Sequence, residues 1–196
     1  MLESHLFLNF ILLLLAEFLS TLNKDLSTNK LQKMKDYSRY TSAERYILVA
    51  LRLFIGWHIL YEGFAKLLIP NWSSVSFLQE SQWILKEFSG WIIANPGVLS
   101  AVDFLNTWGL IAIGLGLMLG LFTRASAIAG AILLFVYYLN NPPLIGLEYS
   151  VPAEGSYLIV SKTLIEAVAL VVLAIFPSGY FAGLDILVDS FRNRNK

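Results

Sequence analysis

Long apolar runs broken by short polar interruptions fill the chain from residue 46 onward. A helix needs about 20 mostly apolar residues to cross about 30 Å of hydrocarbon. Four stretches approach or meet that length: 46–69, 102–122, 125–139 with its flanks, and 158–176. The third is short, but residues 128–138 are densely apolar, and Arg124 and Asn140 bracket them. The pattern predicts an all-α fold, an integral membrane four-helix bundle.

The connections divide into two kinds. Residues 122–124 leave room only for a tight turn, whereas 70–101 and 140–157 are long loops. The first loop carries Trp72, Trp83 and Trp91 among mixed apolar and polar positions. Tryptophan favours the headgroup level, so this loop is expected to form one or two short interfacial helices capping the bundle. The second loop is rich in proline, and Pro142 stops the third helix.

Basic residues then orient the bundle. Lys24, Lys30, Lys33, Lys35, Arg39 and Arg45 precede the first span, Arg124 sits in the tight turn, and Arg192, Arg194 and Lys196 close the chain. The two long loops hold only Lys86. The bias of Lys and Arg toward the cytoplasm places both termini and the Arg124 turn there, with the long loops outside. Three regions follow: a cytoplasmic or interfacial segment at 1–44, the membrane domain at 45–190, and a basic tail at 191–196. The run HLFLNFILLLLAEFLSTL is too short for a comfortable span and is interrupted by Glu17. It reads either as an interfacial helix or, with Met34 as the true start, as part of an over-called stretch at 1–33 without function.

Composition narrows the chemistry. The 196 residues are 57% hydrophobic and 14% charged with zero net charge, which favours a bilayer and offers nothing to nucleic acid. Cysteine is absent, and only two histidines occur, His5 and His58, far apart. No haem, iron–sulfur or zinc site is expected within the chain. Any redox chemistry would use a diffusible cofactor or one carried by a partner.

The apolar spans nevertheless contain ionisable groups, which in a bilayer cost several kcal/mol and usually face the bundle interior. His58, Glu62 and Lys66 recur every fourth residue, one stripe along the first span. Lys162 and Glu166 repeat that spacing in the fourth span. Asp103 and Asn106 lie one turn apart at the start of the second, and Tyr137, Tyr138, Asn140 and Asn141 end the third. With alternating helix directions, all four helices bring polar groups to one depth on the outer side. Glu62, Lys66, Asp103, Lys162 and Glu166 are the candidate catalytic residues; Arg52, His58, Asn106, Tyr137 and Asn140 are the candidate ligand-binding ones.

Blander roles stand beside these. Lys162 and Glu166 could neutralise each other and only fix helix neighbours, and Lys66 could snorkel to the headgroups. His58 could be a hydrogen-bonded packing residue. Arg52, about two turns into its span, needs a counter-charge or exposed carbonyls. Gly114, Gly116 and Gly120, with Ala125, Ser126, Ala127, Ala129 and Gly130, predict close packing of the second and third helices as an antiparallel pair.

Arg52-Leu-Phe-Ile-Gly56 followed by Glu62-Gly63-Phe64-Ala65-Lys66-Leu67 resembles the first helix of the DoxX superfamily, with its arginine, glycine and G-x-x-K-L. The glycine-rich second helix ending Gly-Leu-Phe-Thr-Arg124 is similar too, as are Asn140-Asn141-Pro142 and the tail Gly179-Tyr180-Phe181-Ala182-Gly183-Leu184-Asp185. The long outer loop and Gly-Leu-Asp tail look most like the DoxD branch, the small membrane subunit of thiosulfate:quinone oxidoreductase. The resemblance spans residues 45–188 and falls on Arg52, Gly63, Lys66, Arg124 and Asp185. It implies a multi-pass protein of a prokaryotic cytoplasmic (inner) membrane. It also implies oxidation of an anionic sulfur substrate, electrons passing to a quinone, and a second oxidoreductase subunit. A non-enzymatic scaffold or assembly partner of a redox or secretion complex, or a small-molecule transporter, fits the residues as alternatives.

Overall fold

The structure is a computed structural model and describes residues 40–144, 146, 147, 149, 156–176, 178–180 and 182–185. The expectations for residues 1–33 and for the basic tail lie outside the described residues. The chain divides into two compact units, residues 1–45 and 46–196. Helix α1, Ser42–Leu68, begins in a reciprocal cap. The Thr41 N–H donates to Glu44 Oε2 (2.7 Å) and the Glu44 N–H to Thr41 Oγ1 (3.3 Å), so two N–H groups that lack helical partners are satisfied.

Two short helices follow, α2 (Val75–Gln79) and α3 (Lys86–Ala94). They are the short helices expected of the tryptophan-bearing loop. Helix α4, Pro96–Leu119, starts with proline in its first turn, where the missing N–H costs nothing. Helix α5, Thr123–Asn140, ends just before Pro142. A small antiparallel hairpin pairs β1 (Ser156–Tyr157) with β2 (Val160–Ser161). Helix α6, Lys162–Ile175, then starts at Ser161, whose Oγ accepts the Leu164 N–H at 3.2 Å. A 3-10 turn, Ser178–Tyr180, follows.

Among the described residues three helices, α1, α4 and α5, are long and apolar enough to cross a membrane. The fourth expected span differs: residues 158–161 form the hairpin turn and helix cap, leaving α6 with 14 residues. One apolar core joins all four longer helices, with Ile55 and Ile59, Leu110 and Leu117, Ala127 and Leu134, and Leu170 and Leu173 in mutual contact. Two glycines pack α4 against α5 as expected: a Cβ on Gly116 would meet Ser126, and one on Gly130 would meet Ile113. A Cβ on Gly114 would lie 2.6 Å from the Leu60 backbone, so Gly114 admits α1, not α5. Gly120 ends α4 with a left-handed φ of 64°, a conformation that glycine adopts without strain.

Candidate functional site

Two polar clusters occupy opposite ends of the core. The first is a closed joint around Arg52, which is 2% exposed. Its Nη2 donates to the Ala182 carbonyl at 2.6 Å, and the charge of Asp185 acts on the same guanidinium. Asp185 also accepts the Phe122 N–H (2.6 Å) and the Thr123 N–H (3.1 Å), capping α5 from the far end of the chain. The Leu184 and Asp185 N–H groups donate to the Leu119 and Gly120 carbonyls, at 3.1 and 2.9 Å. Arg52 thus finds both a carbonyl and a counter-charge.

The second cluster surrounds a cavity of about 200 Å³. His58, Ile59, Glu62 and Lys66 of α1 line one wall, and Lys162, Thr163 and Glu166 of α6 line the other; Leu110 of α4 and Leu134 and Tyr137 of α5 complete it. Six residues singled out by spacing therefore meet in one space: His58, Glu62, Lys66, Tyr137, Lys162 and Glu166. Asn106 stands just behind, its Oδ1 accepting from Lys66 Nζ (3.4 Å) and from the Tyr137 hydroxyl.

The pairing inside the cavity departs from the simplest reading of the spacing. Neither Glu62–Lys66 nor Lys162–Glu166 forms an ion pair; among the described residues the one salt bridge runs between helices, His58 Nδ1 to Glu166 Oε1 at 2.7 Å. Helical spacing puts i and i+4 on one face, but the reach of Glu166 across to α1 leaves Lys162 free to line the cavity. Glu62 makes no hydrogen bond to a described residue, and its charge acts on Lys66 and Tyr137.

Lys66 is held between aromatic rings. Its ammonium lies 5.2 Å from the Trp72 ring centre and 5.4 Å from that of Tyr137, within the range of cation–π attraction. Phe77 meets Tyr137 edge-on at 5.4 Å, so the loop covers this end of the cavity with aromatic rings. Trp72 was not among the expected site residues. Its signal was its position just beyond Lys66, after a Pro70–Asn71 turn that folds the ring back onto the helix end.

Two expected site residues do other work. Asp103 is not part of the cavity lining and accepts both the Ser74 N–H (2.8 Å) and the Ser74 hydroxyl (2.5 Å), fastening the start of α2 to α4. Asn140 accepts from the Ser89 hydroxyl at 2.8 Å and donates to the Phe77 carbonyl at 3.1 Å, fastening α2 and α3 to the end of α5. These bonds hold the cap over the cavity. Its side remains open: the His58 side chain is 55% exposed between α1 and α6, against 15% for Glu166.

The joint ties Arg52, Gly120 and Asp185 together: the Asp185 N–H donates to the Gly120 carbonyl, and a Cβ on Gly120 would meet Arg52 Nη1. Residues 47–140 match the DoxX family model. The DoxX match runs from the first turns of α1 to the last residue of α5, so Lys162, Glu166 and Asp185 lie beyond it. With three helices long and apolar enough to cross, the DoxX match makes this a membrane protein in contact with the lipid bilayer. No curated protein and no solved structure matches the chain.

Proposed function

We propose that the cavity receives the head of a quinone from the bilayer. In this reading the protein is the membrane subunit of a quinone-linked oxidoreductase, of the DoxD, thiosulfate:quinone type. The observation that carries it is a cavity with ionisable side chains in its walls, capped at one end and open sideways between α1 and α6. A lipid-phase molecule reaches such a site without passing through water. The apolar wall of Ile59, Leu110 and Leu134 suits a ring, and a few fixed polar groups set its orientation.

Lys66, held by Trp72, Tyr137 and Asn106, and Lys162 on the opposite wall are the donors for quinone oxygens. Converting a quinone to a quinol takes up two electrons and two protons. His58, Glu62 and Glu166 are the cavity groups that hold and pass protons. The electrons come from an anionic sulfur substrate through a second subunit. The distribution of Lys and Arg supports α6 as the fourth crossing of a four-helix bundle in a prokaryotic cytoplasmic membrane. Both termini are then cytoplasmic, and the α2–α3 cap is outside.

The test uses purified protein in nanodiscs titrated with a short-tailed quinone. Glu62→Gln and Lys66→Met are each expected to weaken binding about tenfold or more, the cost of one lost charged hydrogen bond. Unchanged affinity in both variants sinks the assignment.

A second reading, a non-enzymatic scaffold for a redox or secretion complex, draws on Trp57 and Tyr61. Both are 60% exposed near the middle of α1, with no hydrogen-bond partner among the described residues. A partner's helix would supply one, and this reading predicts stable co-purification and tolerance of Glu62→Gln with Lys66→Met. Transport has less support: buried Ile55, Ile59 and Leu117 separate the cavity from Arg52.

A further inference from the structure

Helix α6 is too short to cross alone. Its 14 residues span about 21 Å against the ~30 Å of a hydrocarbon core. Immediately before it, Leu158, Ile159 and Val160 form the tip of the hairpin and are 62%, 51% and 50% exposed. The exposed face of α6 continues in the same character, with Ile165 at 60% and Val168 at 56%. We propose that the hairpin tip is embedded in the bilayer, so that residues 158–175 together, not α6 alone, make the fourth crossing.

Three observations support a lipid surface as what covers this tip. The first is length: two extended residues of β2 add about 6 to 7 Å, bringing the segment to roughly 28 Å. The second is that part of the tip's backbone is satisfied, as lipid demands of a non-helical segment. Tyr157 and Val160 pair across the hairpin, and the Ile159 carbonyl accepts the Tyr138 hydroxyl at 2.8 Å. That bond also sets the tip alongside the last turns of α5, beside the level of Tyr137 and the cavity. The third is residue choice. Leu158 has a φ of 55°, a left-handed conformation where glycine or asparagine is the less strained residue. An apolar side chain stands there despite the strain. One consequence is that Lys162 lies below the headgroups, inside the crossing, which accords with its place in the cavity wall.

The inference rests on the fourth-crossing reading, and the experiment separates the two. The chain contains no cysteine, so single cysteines can be introduced without background. Leu158→Cys, Ile159→Cys, Val160→Cys, Val168→Cys and the exposed α2 control Gln79→Cys are labelled with an environment-sensitive fluorophore and reconstituted in nanodiscs. Depth is read with nitroxide lipids, and water access with an impermeant maleimide on unlabelled samples. The three tip positions are expected to be quenched by shallow nitroxides and to react about tenfold more slowly than Gln79→Cys, while Val168→Cys is quenched by deep ones. Tip positions that react like Gln79→Cys, with Val168→Cys still quenched in depth, overturn the embedded hairpin and leave the crossing standing. A water-accessible Val168→Cys overturns both. Three separate tip variants keep the outcome readable if one fails to fold.

Discussion

The joint at Arg52 and the cavity at Lys66 are built from similar residues and put them to opposite uses. Both set charged side chains against one apolar core. At the joint each charge is turned inward onto backbone: Arg52 onto the Ala182 carbonyl, Asp185 onto the Phe122 and Thr123 N–H groups. The result is a closed junction of α1, the α4–α5 turn and the segment after α6. At the cavity the charges face one another across space, and Glu62 and Lys162 are left without hydrogen bonds to described residues. Buried charge turned onto backbone and a counter-charge holds a fold together, even with Arg52 Nε and Nη1 left without hydrogen bonds. Charge left facing an open-sided cavity is available to a ligand.

This contrast breaks most readily at the joint. Asp185→Ala strips the cap from α5 and leaves the Arg52 guanidinium facing a core without its counter-charge. Two charge-assisted bonds are lost at once, so the expected loss is about 3 kcal/mol or more, read as a lower unfolding midpoint in detergent. Gly120→Ala attacks the same place through the backbone. A Cβ there would lie 2.7 Å from both Arg52 Nη1 and the Gly183 Cα, in a left-handed residue, and the expected cost is about 2 kcal/mol. If either variant unfolds like the parent, the joint is not what fastens the tail to the core.

How much of this was legible beforehand follows the same division. Hydropathy located the long helices because lipid contact rewards unbroken apolar runs. The four-residue spacing of His58, Glu62 and Lys66 put them on one stripe because a helix has a fixed pitch. Spacing says nothing about which of two neighbours a flexible side chain prefers: Glu166 could have turned to Lys162 and turned to His58 instead. Asp103 looked like a member of the cluster because it shares a depth with Asn106. Its partner Ser74 lies in a loop whose path no periodicity describes. The Arg52–Ala182 contact joins residues 130 apart, beyond any local pattern, although the need for such a partner was plain from Arg52 alone.

At the cavity the expected stability losses are smaller. Asn106 accepts from both Lys66 and the Tyr137 hydroxyl, so Asn106→Leu removes two bonds but leaves both donors beside the open space. The loss is expected to be about 1 to 1.5 kcal/mol, while quinone affinity falls further because Lys66 and Tyr137 are no longer held. A large stability loss with unchanged affinity would place this cluster with the joint and erase the contrast.

The smallest effect is expected at Tyr149, between α5 and the hairpin. Its hydroxyl donates to the Pro142 carbonyl at 2.7 Å, and burial, with the Glu80 carboxylate nearby, raises its pKa above the ordinary tyrosine value. A folded-state pKa above the unfolded one means the bond's contribution is complete below the unfolded pKa and is lost as pH climbs through the folded one. Tyr149→Phe is therefore expected to cost about 0.5 to 1 kcal/mol at neutral pH, a gap that holds to about pH 10 and closes above it. Comparing unfolding midpoints of parent and variant across that range reads the effect directly. No gap at neutral pH would mean that the ring's packing, which phenylalanine keeps, and not its hydroxyl secures this loop. The loop would then resemble the joint, whose contacts do not depend on a titrating hydroxyl.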